Sequence, residues 1–376
     1  MAFLGISEFK HFVGVVEDRF DPQKLGRLRV RVLGVHTSDK NKIATADLPW
    51  ASVVLPTTAA GISGLGQSPS FIVEGAWVWG YFRDGDSLMQ EMVIVGTLPG
   101  KPAELGNTDS GFYDPNFRLD ADGQPTTISV YPKEMAEPDT NRLAVNDPNK
   151  PHSSLGVRAI NQFINQNIPT ADFDEVGSNI AASDTDNWSQ PAITYNAVYP
   201  YNHVFESESG HIKEYDDSFT VDEDGIRTNH YRIYEQHASG TSYEIDTAGN
   251  RIDLNMASYF NITQKDNKHY IKGNSDVTID GRHKVFINKS GIENNNYDIQ
   301  VGPNANVNIQ VDNGNLNVVT KTGQFNFDVG SDMNVNVGGN YNLNVQGSET
   351  KTVEGTTTHN TTGSTTIRGS TIDLNP

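Results

Sequence analysis

Cysteine is absent from the 376 residues, which excludes a disulfide framework and any thiolate metal site. Also missing is an apolar run approaching the ~18 residues of a membrane-spanning helix. The opening residues MAFLGISEFKHF have no basic region followed by a long apolar stretch, so no signal peptide is expected there. Apolar residues are few, at 36% of the chain with a mean hydropathy of −0.51. That proportion does not suit a large globule with a thick core, and it does suit a thin fibre with one apolar row per strand. Positive charge is scarce. The 28 Lys and Arg against 47 Asp and Glu leave a net charge of −19, which disfavours nucleic acid as a partner and keeps a long fibre soluble. No Ser/His/Asp constellation and no phosphate-binding loop occurs, so neither a catalytic residue nor a cofactor is expected. The length alone allows about two to three domains.

What the chain has instead is a repeat. Val337-Gly-Gly339, Val345-Gln-Gly347 and Val353-Glu-Gly355 stand eight residues apart, Thr361-Thr-Gly363 continues them and Val329-Gly-Ser331 precedes them. The same phase starts earlier, at Ile271-Lys-Gly273 and Ile279-Asp-Gly281. Between the glycines the residues alternate. Val277, Val285, Ile287, Ile299, Val301, Val307, Ile309 and Val311 are odd-numbered, as are Phe325, Phe327, Val329, Met333, Val335, Val337, Tyr341, Leu343, Val345 and Val353. Asn326, Asp328, Asn334, Asn336, Asn342 and Asn344 take the even positions. This is the periodicity of a strand with one apolar and one wet face. Each octad is therefore expected to form a short strand closed by a glycine-assisted corner at Gly273, Gly281, Gly339, Gly347, Gly355 and Gly363. Leu316 and Val318 are even-numbered, so the register slips around 312–323 and recovers by Phe325. Toward the end Thr357, His359 and Thr361 replace the large apolar residues, Ile367 is still in phase, and Ile372 and Leu374 fall on even positions. That row describes a tapering, polar-lined shaft.

The octad also bears on oligomeric state. One strand and one corner make a single side of a coil, and no longer period is visible. Three chains about one axis would each supply one side of a triangular turn of roughly 24 residues and would pair every backbone edge. An intertwined homotrimeric β-helix is expected over 261–376, with the odd-numbered apolar residues above as its core. About thirteen octads at one strand spacing each give a fibre of ~60 Å.

Residues 1–100 read as a compact β module. Phe12–Val16 is a strand candidate, Asp21-Pro22 marks a turn, and Leu28-Arg-Val-Arg-Val32 alternates with Leu28, Val30 and Val32 inward and Arg27, Arg29 and Arg31 outward. Further strands are expected at Trp50–Leu55, Ala76–Phe82 and Met92–Leu98. Five or so strands without a helix in ~100 residues point to a small barrel such as an OB-fold. The arginine row is either a partner surface or a plain solvated strand face. Residues 101–195 form a polar, Pro-rich, acidic, extended connector, in which only Ser154–Gln166 has apolar residues at helical spacing. Residues 196–260 return to β structure.

Particular wording now matters. Phe12-Val-Gly, Val16-Glu-Asp-Arg19, Asp21-Pro22, Leu25-Gly-Arg-Leu-Arg-Val-Arg-Val32, Leu48-Pro-Trp50 and Phe82-Arg-Asp-Gly-Asp86 closely resemble the N-terminal OB module of the central spike of contractile phage tails. The same module occurs in the valine-glycine-repeat spikes of type VI secretion. Gly111-Phe-Tyr-Asp-Pro115 is similar to the phage branch in particular. Asn196–Val204, Glu208–Asp217, His237–Thr241 and Tyr243–Asn250 carry a second string of matches, in a segment that the resemblance implies to be a β neck. The stretch between Asp217 and His237 is longer than the turn that pattern has. The resemblance implies an all-β homotrimer, docked on a tail hub protein by its barrel and driven mechanically through the target's outer membrane. It implies a virion baseplate location after synthesis in the host cytoplasm. A type VI secretion or bacteriocin spike is the alternative of the same fold, and a receptor-binding tail fibre is a weaker one. A cell-wall-degrading entry enzyme is the alternative from another class. The T-even-type spike carries a lysozyme domain in the connector region. That chemistry needs a general-acid Glu beside a second carboxylate, and Leu119–Thr127 only faintly echoes its hairpin, with no Glu-bearing helix before it. No lysozyme domain is expected.

Two other constellations bear on metal binding. His359 is the sole histidine of the last octads, and three inward copies on a threefold axis would offer a metal site. A packed or water-linked histidine is the preferred reading. Related spikes bind iron at their own tip through paired histidines. The ending Asp-Leu-Asn-Pro376 has no such pair, so a separate small tip-capping protein is expected. Asp222-Glu-Asp-Gly225 and Asp84-Gly-Asp86 lack the twelve-residue loop of a calcium site and read as solvated turns.

Overall fold

The computed structural model describes residues 10–68, 71–85, 88–103, 107, 109–114, 136–149, 151–152, 154, 195–277, 279, 281–288, 291 and 296–373. The chain divides into two compact units, Met1–His283 and Lys284–Pro376.

The first unit begins with a closed barrel. Strands β1 (His11–Asp18), β2 (Leu28–Val32), β3 (Trp50–Val53), β4 (Trp77–Phe82) and β5 (Met92–Thr97) close in the order β1-β2-β3-β5-β4. All neighbours are antiparallel except β3 and β5, which run parallel. β-branched and aromatic residues at alternate positions make these strands and fill the barrel. Phe12, Val16, Leu28, Val30, Val32, Ala51, Val78, Phe82, Met92 and Ile94 form its core. Closure depends on Gly80, where a Cβ would stand 2.1 Å from the Val93 carbonyl and 2.7 Å from the Phe12 ring. Between β1 and β2, Asp21 holds the turn. Its carboxylate accepts the backbone N–H groups of Gln23, Leu25 and Arg27 and the Arg27 guanidinium. Arg27 above all, against the cost of burial, keeps the Asp21 carboxyl far below the usual carboxylate range.

A second, open sheet follows, in the order β12-β11-β10-β7-β6. Its strands are β6 (Asn202–Glu206), β7 (Ile212–Asp216), β10 (Arg232–Gln236), β11 (Ser242–Ile245) and β12 (Arg251–Leu254). The stretch that looked too long for a turn is a separate hairpin, β8 (Phe219–Val221) with β9 (Arg227–Asn229). Its corner is Asp222-Glu-Asp-Gly225, where Asp222 Oδ1 accepts the N–H groups of Asp224 and Ile226 and Gly225 sits at φ +79°. The carboxylate of Asp222 thus closes its own turn, as a solvated turn requires. Asp84 Oδ2 likewise accepts the Gln90 N–H, while Asp86 lies outside the described residues.

One face of the open sheet is covered by a strap from the connector. Asn141 caps a single helical turn, α1 (Arg142–Val145), its side chain accepting the Leu143 N–H at 2.9 Å. Leu143 is fully buried against Ile212 and Tyr234, with Tyr195 and Val204 around them. The connector is therefore not extended throughout, and α1 lies where no helix was expected. Of the expected helix Ser154–Gln166, only Ser154 is among the described residues. Beneath the strap, Arg232 is buried. It donates to Glu214 and Glu244 and is stacked 4.9 Å from the Tyr195 ring and 4.8 Å from the Tyr234 ring.

Beyond β12 the chain changes character. No strand pairing occurs among the described residues from 255 to 373. The described backbone there carries no helix or strand, only segments punctuated by bends and a turn at 303–304.

Candidate functional site: the octad row and the barrel clamp

The bends mark the repeat. They fall at 256–257, 264–265, 272–273 and 281, and again at 330–331, 338–339, 346–347, 354–355, 362–363 and 370. The step is eight residues. Gly273, Gly281, Gly339, Gly347, Gly355 and Gly363 all sit at bends. None of the six has a left-handed φ, and a Cβ on any of them would meet nothing within 4 Å in the single chain. Backbone freedom is thus not what these corners need from glycine, which corrects that part of the expectation. Between 312 and 331 the bends fall at 312–314, 321–323 and 330–331, a step of nine. Each extra residue flips the parity of the apolar row once, so Leu316 and Val318 come into phase and Phe325 returns to the odd row. Here glycine does take unusual backbone, with Gly314 at φ +149° and Gly323 at φ +109°.

The apolar row itself is bare. From Ile271, Val277, Ile279, Val285 and Ile287 through Val307, Ile309 and Val311, and from Phe325, Phe327 and Val329 to Met333, Val335, Val337, Tyr341, Leu343, Val345 and Val353, every side chain is 39–76% exposed. His359 is exposed too, and no cluster of three or more metal-ligating side chains occurs among the described residues. A repeated apolar row beside unpaired backbone edges presents just what folding normally hides.

The barrel carries the second constellation. The row Arg27, Arg29, Arg31 is not a free surface, and this corrects the expectation that all three point to solvent. Arg31 is wholly buried. Its guanidinium meets Glu17 through a fork of 2.7 and 3.1 Å and donates to the carbonyls of Thr37 and Ile43 at 2.7 and 2.8 Å. Glu17 also accepts the Thr45 hydroxyl and the Phe112 N–H, each at 2.8 Å. Burial works against charge on Glu17, and these donors together hold its pKa below the ordinary value. Arg29 lies 4.6 Å over the Trp50 ring and donates to the Thr45 carbonyl. The missed signal was Gly111. A Cβ there would stand 2.2 Å from Arg31 Nε, so only glycine lets the Gly111-Phe112 backbone lie on the guanidinium. Gly111 N–H also donates to the Ser38 carbonyl at 2.8 Å. The motif Gly111-Phe-Tyr-Asp114 is therefore a lid that closes a buried ion pair from outside the barrel.

These features define a class before they define a relative. A closed five-stranded barrel in this strand order is an OB domain, and residues 34–187 match the family described as the Gp5 N-terminal OB domain. Within that class the chain is similar to the Gp5 proteins of two phages. It is 34% identical over 307 residues to the protein Gp5 of Vibrio phage KVP40, covering 74% of this chain and 65% of that protein. It is 42% identical over 137 residues to the pre-baseplate central spike protein Gp5 of Enterobacteria phage T4, covering 35% of this chain and 21% of that protein. The chain thus spans just under two thirds of the Vibrio phage protein and about a fifth of the T4 protein.

Proposed function

We propose that the protein is the structural central spike of a contractile phage tail baseplate, acting as a homotrimer whose octads intertwine into a β-helix. One observation carries the reading: bends mostly eight residues apart, an apolar row 39–76% exposed, and no strand pairing among the described residues beyond β12. A lone chain in water would leave both the row and its backbone edges unsatisfied. Three copies wound together satisfy both at once, each chain pairing with the two others. The corner glycines fit the same picture, because their hydrogen atoms are then needed where another chain crosses.

The role is mechanical. In such a rod no local unit yields alone, since opening one strand strips hydrogen bonds from its neighbours, and the fibre is kinetically very stable. The barrel docks on a hub protein, a small protein caps the far tip, and the Asn-rich outer face suits crossing an outer membrane and not residing in it. The protein resides in the virion tail after synthesis in the host cytoplasm, and it carries no enzymatic activity. The name of the T4 relative, a pre-baseplate central spike protein, supports the spike reading.

The test is mass in solution, followed by electrophoresis in detergent with and without boiling. Three chains by mass, resistant to detergent until heated, is the expected outcome. A well-behaved monomer in dilute buffer removes the spike, the piercing role and the cap together. Clearing of peptidoglycan in a zymogram by the purified chain removes the non-enzymatic assignment alone.

A further inference from the structure

The face of the open sheet beneath the strap buries more acids than bases. Glu214, Asp216 and Glu244 lie there, and the buried cation beside them is Arg232. The Arg232 guanidinium is committed to Glu214 and Glu244. Asp216 is left over. It is 2% exposed, and its Oδ1 accepts the Ser218 N–H at 2.9 Å, while its Oδ2 is buried without a hydrogen-bond partner. Arg232 is its register partner on β10, yet Arg232 Nε makes no hydrogen bond either.

On the other side, Asn202 of β6 is the register partner of Asp216. Its amide has a fixed sense. Nδ2 donates to the Leu143 carbonyl at 3.0 Å and to Glu214 Oε1 at 2.7 Å. Turning the amide over would set its oxygen against two acceptors. Asn202 Oδ1 is therefore an acceptor, and it too is buried without a partner. Two orphan acceptors thus belong to cross-strand neighbours, whose Cβ atoms stand about 5 Å apart.

We propose that Asp216 is protonated at neutral pH, that its Oδ2–H donates to Asn202 Oδ1, and that this proton is a pH-sensitive catch for the strap. One hydrogen answers both orphan oxygens. It also removes a bare charge from a dry site whose guanidinium is already shared by two other carboxylates. Around Asp216 stand Glu214 on its own strand, Asn202 on β6, Arg232 on β10 and Glu244 on β11. Tyr195 and Ser218 flank them, and the strap adds apolar Leu143. Burial above all raises the Asp216 pKa, against its hydrogen bonds from Ser218, and the Glu214 charge adds to the rise against that of Arg232. When the proton leaves to water, two acceptors face each other. The Asn202 amide then turns Nδ2 toward Asp216, and the Leu143 carbonyl keeps only Tyr195 Oη of its two donors. The strap loosens. Because the folded pKa is the raised one, the closed strap is favoured in acid. That advantage fades as the pH climbs from the ordinary 3.8 to the folded value, the opposite sense to Glu17 in the barrel. The catch belongs to a single chain, so it stands or falls independently of the trimer.

The test is amide hydrogen exchange of the purified full chain between about pH 5 and 8, corrected for the intrinsic pH dependence of exchange. Glu206 and Asp246, whose pKa values are lowered, stay ionised throughout that range. The opening constants of α1, β6 and β7 are expected to rise with pH, by up to about tenfold per pH unit. In Asp216→Asn the new amide offers Asn202 a hydrogen without titrating. Its slope is expected to vanish, and its strap to open about tenfold less often than that of the unaltered chain at the upper pH. Flat exchange in the unaltered chain overturns the proposal, since a buried water with two hydrogens then answers both oxygens and Asp216 stays charged. An equal slope in both proteins also overturns it, because histidines of this sheet then carry the pH dependence. Should Asp216→Asn fail to fold, as judged by circular dichroism, Asn202→Leu decides. Lacking both the acceptor and the strap's donor, it is expected to open the strap at every pH, and a retained slope overturns the catch.

Discussion

Arg31 sets the terms for what a single residue does in this protein. A guanidinium wholly buried in a small barrel is stable only because all its neighbours are acceptors: both oxygens of Glu17 and two backbone carbonyls. Replacing such a pair with apolar residues can be harmless, but removing one partner strands the other charge, at about 3–5 kcal/mol. Arg31→Met is therefore expected to destabilise the barrel by about that amount, while Arg31→Met combined with Glu17→Leu regains much of it. Denaturant unfolding followed by tryptophan emission reads this out, since Trp50, Trp77 and Trp79 lie in β3 and β4. Equal stability of the single and double variants would contradict the clamp. The sequence displayed the alternation of Leu28–Val32 plainly, and β2 has the bounds it implied. It hid the burial of Arg31 because the partners come from positions 17, 37, 43, 45 and 112, whose meeting is a property of the closed barrel. The glycine of the Gly111–Asp114 motif was visible, but its reason was not.

Acid acts on the same residues. Glu17 has a lowered pKa, so it stabilises the fold above its ordinary value near 4.5 and loses that contribution as the pH falls through the lower folded value. His36 is held below its ordinary 6.5 by burial first and by the Arg31 charge second. Its Nδ1 accepts the Val32 N–H at 2.9 Å, so the neutral ring is the useful form, and protonation below pH ~6.5 costs stability. Glu74 works the other way. Burial raises its pKa, so its ionisation weighs against the fold as the pH rises. The expected profile is a denaturation midpoint that falls between pH 7 and 4. His36→Gln, which keeps an acceptor but does not titrate, is expected to flatten the upper part of that fall. A midpoint unchanged by pH in the unaltered chain would refute the assignment of both groups.

At the scale of elements, the strap is the informative case. α1 has four residues, too few for any apolar period to show, so no residue pattern marks a helix there. Its local signals are the caps alone: Asn141 at one end and Asn146, left-handed at φ 47°, at the other. What fixes it is tertiary. Leu143 fills the space over Ile212 and Tyr234, its carbonyl accepts Tyr195 Oη and Asn202 Nδ2, and Asn141 Nδ2 reaches Glu206. Leu143→Ala is expected to cost about 2–5 kcal/mol through the cavity it leaves. Because the strap covers the open sheet and not the barrel, amide exchange is expected to rise in β6, β7 and β10 and to stay unchanged in β1 and β2. Uniform loss of protection across both sheets would mean that the strap stabilises more than the sheet it lies on.

At the scale of the whole molecule, the octads were legible in one respect and not in another. Their length, their apolar row and the slip near 312–323 can all be read from residue parity, because a strand has period two and each nine-residue step flips it. What the row packs against cannot be read from one chain, since every odd-numbered apolar side chain faces open space until something covers it. Parity still makes a sharp prediction. Val337 is on the apolar row and Asn336 is on the wet one. In the proposed trimer Val337→Asp places three carboxylates together in a dry core, at a cost of several kcal/mol per charge, whereas Asn336→Asp adds three exposed charges at almost no cost. Detergent-resistant trimer on an unheated gel is expected to vanish or weaken for Val337→Asp and to persist for Asn336→Asp. The parity argument leaves no freedom in the direction of that difference. If both variants keep the trimer equally, the odd row is not the inward one. If Asn336→Asp alone breaks it, the wet face is where the chains meet, and the octads must wind with the opposite side toward the axis.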